Sequence, residues 1–133
     1  MSVGRGTDHP FSIYGHPEFH IGSYTFTPEP RPGASHPKLE GKLCFGQNLK
    51  GYADHYHEID DHFNLQWLIT AFEILGNDTS FFIPYFENLS GTNELREQII
   101  SGTSIENIKA GWQSGLNKFK QKRQKYLLYE DFE

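Results

Sequence analysis

Residues 42–49, Lys-Leu-Cys-Phe-Gly-Gln-Asn-Leu, form the stretch that decides the fold class of this chain. Its side chains alternate as in a β-strand, with Cys44 on one side and the two apolar neighbours of Cys44 on the other. A second strand is predicted at residues 23–27, where two aromatic side chains share a face. Both strands precede the helical half of the chain, and this segregation favours α+β over α/β. We expect a small, mainly antiparallel sheet with about three helices packed on one side.

Two of the three helices are predicted from apolar residues at helical spacing. The first covers residues 61–75, and Gly76-Asn77 supplies a stop signal. The second covers residues 92–101, with Gly102 just past its end. The residues expected on the inward faces of these helices are Leu65, Leu68, Phe72, Leu75, Leu95 and Ile99.

The third helix has the clearest start. Thr103 and Glu106 match a capping box, in which Thr103 is the N-cap and the glutamate follows three residues later. The apolar residues that repeat along this helix are Ile105, Ile108, Trp112, Leu116 and Phe119. Gly111 and Gly115 lie four residues apart on the same helix and predict the close approach of another backbone to a bare patch.

The length of 133 residues fits a single domain with one hydrophobic core. The aromatic fraction of 15% is high, and large rings either build such a core or stack on a sugar. For Tyr14, Tyr24 and Phe26 we favour core packing. No apolar run approaches about 18 residues, so no membrane span is expected.

Charge is distributed unevenly along the chain, whose formal net charge is −5. Residues 109–129 carry six basic side chains and no acidic one, whereas the preceding part is acidic. The lysines of the basic run at 118–125 do not form one helical face. We therefore interpret the run as a solvated helix end, where cations are favoured, and expect no nucleic-acid partner.

Metal and cofactor signals are weak. Cys44 is the only cysteine, which excludes an intrachain disulfide and a four-thiolate zinc site. Residues 55–62, His-Tyr-His-Glu-Ile-Asp-Asp-His, suggest a zinc motif, but a zincin helix needs two histidines four residues apart, and His57 and His62 are five apart. We favour a structural role for this stretch and expect no metal and no cofactor; a metal-dependent enzyme using it is the minor alternative.

Gly4-Arg5-Gly6-Thr7 is the strongest functional signal. It is not a dinucleotide fingerprint, because no third glycine and no helical pattern follow, and it lacks the lysine of a P-loop. Glycines on both sides of Arg5 allow positive φ and bring the backbone close to a neighbour. The turn therefore presents a guanidinium, which is either an anion-binding group or a solvated or structural arginine.

Several blocks of the sequence together resemble the DUF1343 family. In chain order they are Ser-Val-Gly-Arg-Gly-Thr-Asp-His-Pro-Phe at 2–11, Ile-Tyr-Gly-His-Pro at 13–17, Phe-Thr-Pro at 26–28, Gly-Lys-Leu-Cys-Phe-Gly at 41–46, Phe-Glu-Asn-Leu-Ser-Gly-Thr at 86–92, and Phe-Lys-Gln-Lys-Arg-Gln-Lys-Tyr-Leu-Leu-Tyr at 119–129. The resemblance covers nearly the whole chain, and its first and last blocks are the most specific.

Members of that family are exo-β-N-acetylmuramidases of the NamZ type, glycoside hydrolases that remove N-acetylmuramic acid from the non-reducing end of peptidoglycan fragments. The resemblance implies a larger N-terminal Rossmann-like domain, a smaller C-terminal domain and an active-site cleft between them. Residues 1–133 would then be one accessory C-terminal domain of a two-domain bacterial protein that is periplasmic or secreted. The catalytic acids are expected mainly in the other domain, so no catalytic residue is assigned in this chain.

This resemblance leads to two hypotheses about function. In the first, the domain completes the substrate cleft beside the N-terminal domain and is inactive alone. In the second, it is an autonomous carbohydrate-binding or scaffolding module without a catalytic role. The partners expected under the first hypothesis are a saccharide derived from peptidoglycan and the N-terminal domain of the same parent chain.

Arg5, Gly6, Thr7 and His9 are the candidate substrate-binding residues. N-acetylmuramic acid carries a lactyl carboxylate, which a guanidinium can hold with two charge-assisted hydrogen bonds. Residues 2–11 would join the two domains and therefore lie close to the cleft. In the alternative, Arg5 pairs with an acid of the N-terminal domain and only holds the cleft together.

Overall fold

The structure is a computed structural model that describes residues 1–54, 63–76 and 79–130. The chain forms two compact units, Met1–Asn77 and Asp78–Glu133, which we call the first and second units. The first unit contains a small antiparallel sheet, and helices dominate the described part of the second. The α+β class predicted from the sequence is thereby confirmed.

The sheet has three strands, β1 (Ile13–His16), β2 (Tyr24–Phe26) and β3 (Cys44–Asn48), in the order β1-β3-β2. Strand β3 is central and antiparallel to both neighbours. The strands predicted at 23–27 and 42–49 are present but shorter. Strand β1 was not predicted, because its four residues include a glycine and lie among turns.

Glycines allow the centre of this sheet to pack closely. Gly15 of β1 lies opposite Gly46 of β3 in the strand register. A Cβ atom added at Gly46 would lie 1.8 Å from the carbonyl oxygen of Tyr14, and one at Gly22 would lie 2.3 Å from the backbone nitrogen of Gly46. No side chain fits at these two positions without moving backbone.

The core of the first unit contains Ile13, Phe26 and Cys44, one buried side chain from each strand. Tyr24 and Leu39 are partly buried and pack against this cluster. Cys44 faces the core, and burial raises the pKa of its thiol. The core interpretation of the aromatic residues of β2 is confirmed.

Tyr14 also contributes to the interior of the first unit. It is 9% exposed, and its hydroxyl donates a hydrogen bond to Oε1 of Gln47 at 2.8 Å. Its ring contacts Phe19 edge to face, with centroids 5.8 Å apart. The preference for core packing over sugar stacking is confirmed for this residue as well.

The first unit also contains helices α1 (Lys50–Asp54) and α2 (Gln66–Ile74). The short helix α1 was not predicted. Helix α2 was predicted from residue 61, but residues 63–65 precede it, and residues 61 and 62 are outside the described residues. Leu65 and Phe72 are buried, which confirms two positions of the predicted apolar stripe.

The second unit contains helices α3 (Phe86–Ser90), α4 (Glu94–Ile100) and α5 (Ile105–Arg123). Helices α3 and α4 are joined by an ion pair, in which Nε of Arg96 donates to Oε1 of Glu87 at 2.9 Å. Helix α4 lies inside the predicted range 92–101, and Gly102 follows it with φ +72°.

The start of helix α5 corrects the predicted capping box by one residue. The N-cap is Ser104, whose Oγ accepts a hydrogen bond from the backbone N–H of Asn107 at 3.3 Å. Hydrogen bonds from its own backbone N–H and from Ser104 hold the pKa of Glu106 below its ordinary value. Thr103 stands three residues before this glutamate, as a capping box requires, but Ser104 has the extended ψ of 152° typical of an N-cap.

Within the described residues, no backbone packs closely against α5, contrary to the prediction. A Cβ atom added at Gly111 or Gly115 would meet no atom within 4 Å in the part of the chain that the structure describes. Ile108 is fully buried, whereas Leu116 and Phe119 are 45% and 59% exposed. In the described part of the chain the two glycines therefore lie at open surface, and the apolar stripe is buried there only near the start of the helix.

Candidate functional site

The segment before strand β1 is attached to the sheet. Ser2 and Gly15 exchange two backbone hydrogen bonds, of 2.8 Å and 3.0 Å, in an antiparallel bridge. Ser2 is 2% exposed, and its Oγ accepts from the backbone N–H of Gly4 at 3.3 Å. The turn that follows therefore starts from a fixed edge of the sheet.

Both glycines of the turn have the conformation and the close contacts that the sequence predicts. Gly4 has φ +78° and Gly6 has φ +83°. A Cβ atom at Gly4 would lie 2.6 Å from the carbonyl oxygen of His9. A Cβ atom at Gly6 would lie 2.7 Å from both the carbonyl oxygen of Glu29 and the ring of Pro37. These contacts fix the backbone on each side of Arg5.

Arg5 is exposed between the two glycines. Its Nη2 donates a hydrogen bond to the carbonyl oxygen of Gly33 at 2.9 Å. No carboxylate within 1–54, 63–76 and 79–130 forms an ion pair with it. A neutral carbonyl positions the guanidinium without neutralising its charge, and such a group can bind an anion.

Arg5 borders two surface grooves of the first unit. The larger has a volume of about 460 Å³ and is called the Phe11 groove; it is lined by Arg5, Gly6, Thr7, Pro10, Phe11 and residues 31–34. The smaller has a volume of about 380 Å³ and is lined by residues 1–3, Arg5 and residues 33–38. Pockets of a few hundred Å³ are large enough for a small ligand.

Three of the four predicted binding residues, Arg5, Gly6 and Thr7, line the Phe11 groove, whereas His9 is not among its lining residues. The hydroxyl of Thr7 donates to the carbonyl oxygen of Gly4 at 2.7 Å and accepts from the backbone N–H of His9 at 3.0 Å. Thr7 therefore holds the shape of the turn, and Arg5 supplies the exposed charge.

Phe11 and Arg31 are among the groove residues that sequence reasoning missed. Phe11 lies within residues 2–11, and its position directly after Pro10 in a turn was an available signal. Arg31 comes from a separate loop, and nothing in the order of residues places it beside Asp8.

The Asp8–Arg31 ion pair compensates the second arginine of the groove. The Arg31 guanidinium bonds to Oδ1 of Asp8 and holds the pKa of that carboxyl below its ordinary value. Because the carboxyl pKa is lower in the folded state, the ion pair stabilises the fold at pH values above the ordinary pKa of aspartate. This contribution is lost as the pH falls through the folded-state pKa. Above that range Arg5 is the arginine of the groove without a carboxylate partner among the described residues.

Metal ligands do not cluster in the described part of the chain, where no three histidine, cysteine, aspartate or glutamate side chains are arranged to hold an ion. The stretch at 55–62 lies outside the described residues. None of the described helices combines the length and the apolar composition that a membrane span needs.

Comparisons with known proteins decide the family. The family model for the C-terminal part of exo-β-N-acetylmuramidase NamZ matches residues 1–129. The chain belongs to the NamZ C-terminal family. The blocks of sequence that resemble DUF1343 proteins are therefore those of a true relative.

Two relatives support the assignment to the NamZ C-terminal family. Peptidoglycan β-N-acetylmuramidase NamZ of Bacillus subtilis is 30% identical over 150 residues, which cover 97% of this chain and 34% of the relative. A DUF1343 family protein from Bacteroides fragilis has a crystal structure that matches with a TM-score of 0.89 and 43% identity, over 98% of this chain and 36% of that one. The chain thus spans about a third of the length of these relatives.

Proposed function

We propose that this NamZ C-terminal domain binds a saccharide derived from peptidoglycan in the Phe11 groove and completes the substrate cleft of an exo-β-N-acetylmuramidase. The observation that carries the proposal is the Arg5 guanidinium, which is exposed at the groove without a carboxylate partner among the described residues. The Bacillus subtilis relative is a peptidoglycan β-N-acetylmuramidase, which supplies the substrate class.

The chemical match is between the guanidinium and the lactyl carboxylate of N-acetylmuramic acid. Arg5 has one N–H held by Gly33, so its remaining donors are available to a carboxylate. N-acetylglucosamine has the same ring and acetamido group but no lactyl ether. A site that recognises the carboxylate would therefore separate these two sugars.

An Arg5→Gln variant is expected to lose this discrimination. For the original chain we expect methyl N-acetylmuramide to bind more tightly than methyl N-acetylglucosaminide in an NMR titration. Because a hydrogen bond to a charged group is worth about 1.5–3 kcal/mol, Arg5→Gln should weaken muramide binding by about tenfold to a hundredfold. Binding of the glucosaminide should hardly change.

Lys118→Gln is the matched control, because it removes one positive charge from an exposed position on α5. It should leave both affinities unchanged. Equal affinity of the original chain for the two sugars would refute carboxylate recognition. If Arg5→Gln binds muramide as well as the original chain, Arg5 does not contact the substrate.

The role in completing the cleft predicts that this chain alone has no activity. The 133-residue chain and a longer protein that contains it would be assayed side by side on a chromogenic muramic acid glycoside. We expect hydrolysis only by the longer protein, and we expect Arg5→Gln introduced there to reduce it. Release of muramic acid by the 133-residue chain alone would contradict the accessory role.

A further inference from the structure

Two residues other than glycine have positive φ in the described part of the chain, Phe11 with φ 64° and Leu39 with φ 65°. This conformation is strained for residues with a bulky side chain. Leu39 is partly buried and packs against the core cluster of the sheet, so packing compensates its strain. Phe11 is 73% exposed, and burial of its ring does not compensate in the same way.

The backbone around Phe11 favours a different residue at this position. The N–H of Ser12 donates to the carbonyl oxygen of His9 at 3.2 Å, which closes a β-turn with Pro10 second and Phe11 third. Proline at the second position and positive φ at the third define a type II turn, whose third residue is usually glycine or asparagine. A small residue would suffice for this turn, so the fold does not account for an aromatic side chain at position 11.

The position of the ring supplies an explanation. Phe11 lines the same groove as Arg5, and its backbone N–H is held by the carbonyl oxygen of Val3 at 2.8 Å. The turn therefore places an exposed aromatic residue and an exposed arginine at the same groove. Strained residues of this kind are concentrated at functional sites, where the surrounding structure holds them in place.

We propose that the Phe11 ring is the platform on which the pyranose ring of the bound saccharide stacks. One face of a pyranose presents C–H groups, which lose water on contact with the negative face of an aromatic ring. This role rests on the proposed function and adds a second contact with the saccharide. Arg5 selects the carboxylate, and Phe11 contributes affinity for the ring that both sugars share.

The test is a Phe11→Gly variant of the 133-residue chain, which separates binding from folding. Glycine adopts positive φ without strain, so the thermal midpoint should be unchanged or raised by a few degrees. The affinity for both methyl glycosides should fall by about tenfold, because the platform is lost for each. The ratio of the two affinities should stay that of the original chain.

Two controls sharpen this test. Phe63→Ala removes a ring that is 67% exposed and does not line the groove, and it should leave sugar binding unchanged. Phe11→Trp keeps an aromatic face and should retain most of the affinity. The proposal would be overturned if Phe11→Gly bound both sugars as tightly as the original chain does. It would also be overturned if the variant were so much less stable that unfolding explained its weaker binding.

Failure of this inference is distinguishable from failure of the proposed function. If the original chain separates the two sugars and Phe11→Gly binds both normally, carboxylate recognition stands and the platform is refuted. If Phe11→Gly lowers both affinities while Arg5→Gln has no effect, the platform stands and the role of Arg5 is refuted. If the original chain binds neither sugar, both proposals are refuted.

Discussion

Replacing Gly46 with alanine is expected to destabilise the first unit more than any other change considered. Its methyl group would lie 1.8 Å from the carbonyl oxygen of Tyr14 and 2.7 Å from the Cα atom of Gly15. Both atoms belong to the backbone of β1, which cannot rotate away as the end of a flexible side chain can. Relief requires separating β1 from the central strand β3, so we expect a loss of at least about 3 kcal/mol.

Urea denaturation of the 133-residue chain measures this effect through the shift of the midpoint. Gly51→Ala is the matched control, because Gly51 lies in α1 and a Cβ atom there meets no described atom within 4 Å. Alanine also favours helix over glycine, so this control should be neutral or slightly stabilising. A Gly46→Ala midpoint close to that of Gly51→Ala would disprove the close packing of β1 on β3.

Gly6→Ala is expected to damage both the fold and the groove. Gly6 has φ +83°, and its added methyl group would lie 2.7 Å from the carbonyl oxygen of Glu29 and from the ring of Pro37. Glu29 is also tied to the turn by a hydrogen bond, since its backbone N–H donates to the carbonyl oxygen of Gly6 at 2.9 Å. We expect a loss of about 2–4 kcal/mol and weaker binding of the muramide, because the turn carries Arg5.

Gly33→Ala separates strain from steric overlap. Gly33 has φ +81°, almost the value of Gly6, and a Cβ atom there meets no described atom within 4 Å. Only the conformational strain remains, so the expected loss is about 1 kcal/mol. The carbonyl oxygen that accepts from Arg5 is retained in this variant. Equal losses for the two variants would show that the contacts of Gly6 do not matter.

The parts of the fold that were predictable are those in which local pattern and burial agree. Strands β2 and β3 and helices α4 and α5 follow apolar periodicity, so their sequences alone indicate them. Strand β1 has only four residues, and its pairing with β3 depends on a glycine contact 31 positions away in the chain. The spacing of Gly111 and Gly115 predicted close backbone packing, but glycine spacing alone does not supply a second backbone, and none lies there among the described residues.

The candidate site was predictable in part for the same reason. Two glycines around an arginine indicate a tight turn wherever the turn lies, and the predicted positive φ values are present. The partners of the turn, Glu29, Gly33 and Pro37, come from a later loop and were not predictable. The role of Phe11 was not predictable from the sequence, because its exposure depends on where the turn directs its ring.

The sequence by itself determined the α+β class, the family and the position of the glycine-flanked arginine, because each of these depends on local pattern or on the order of blocks along the chain. Only the tertiary structure decided that Arg5 is held by a carbonyl, that Arg31 is compensated by Asp8, and that Phe11 borders the same groove. The physical reason is that charge compensation and exposure depend on residues 20 to 30 positions away, which only folding brings together.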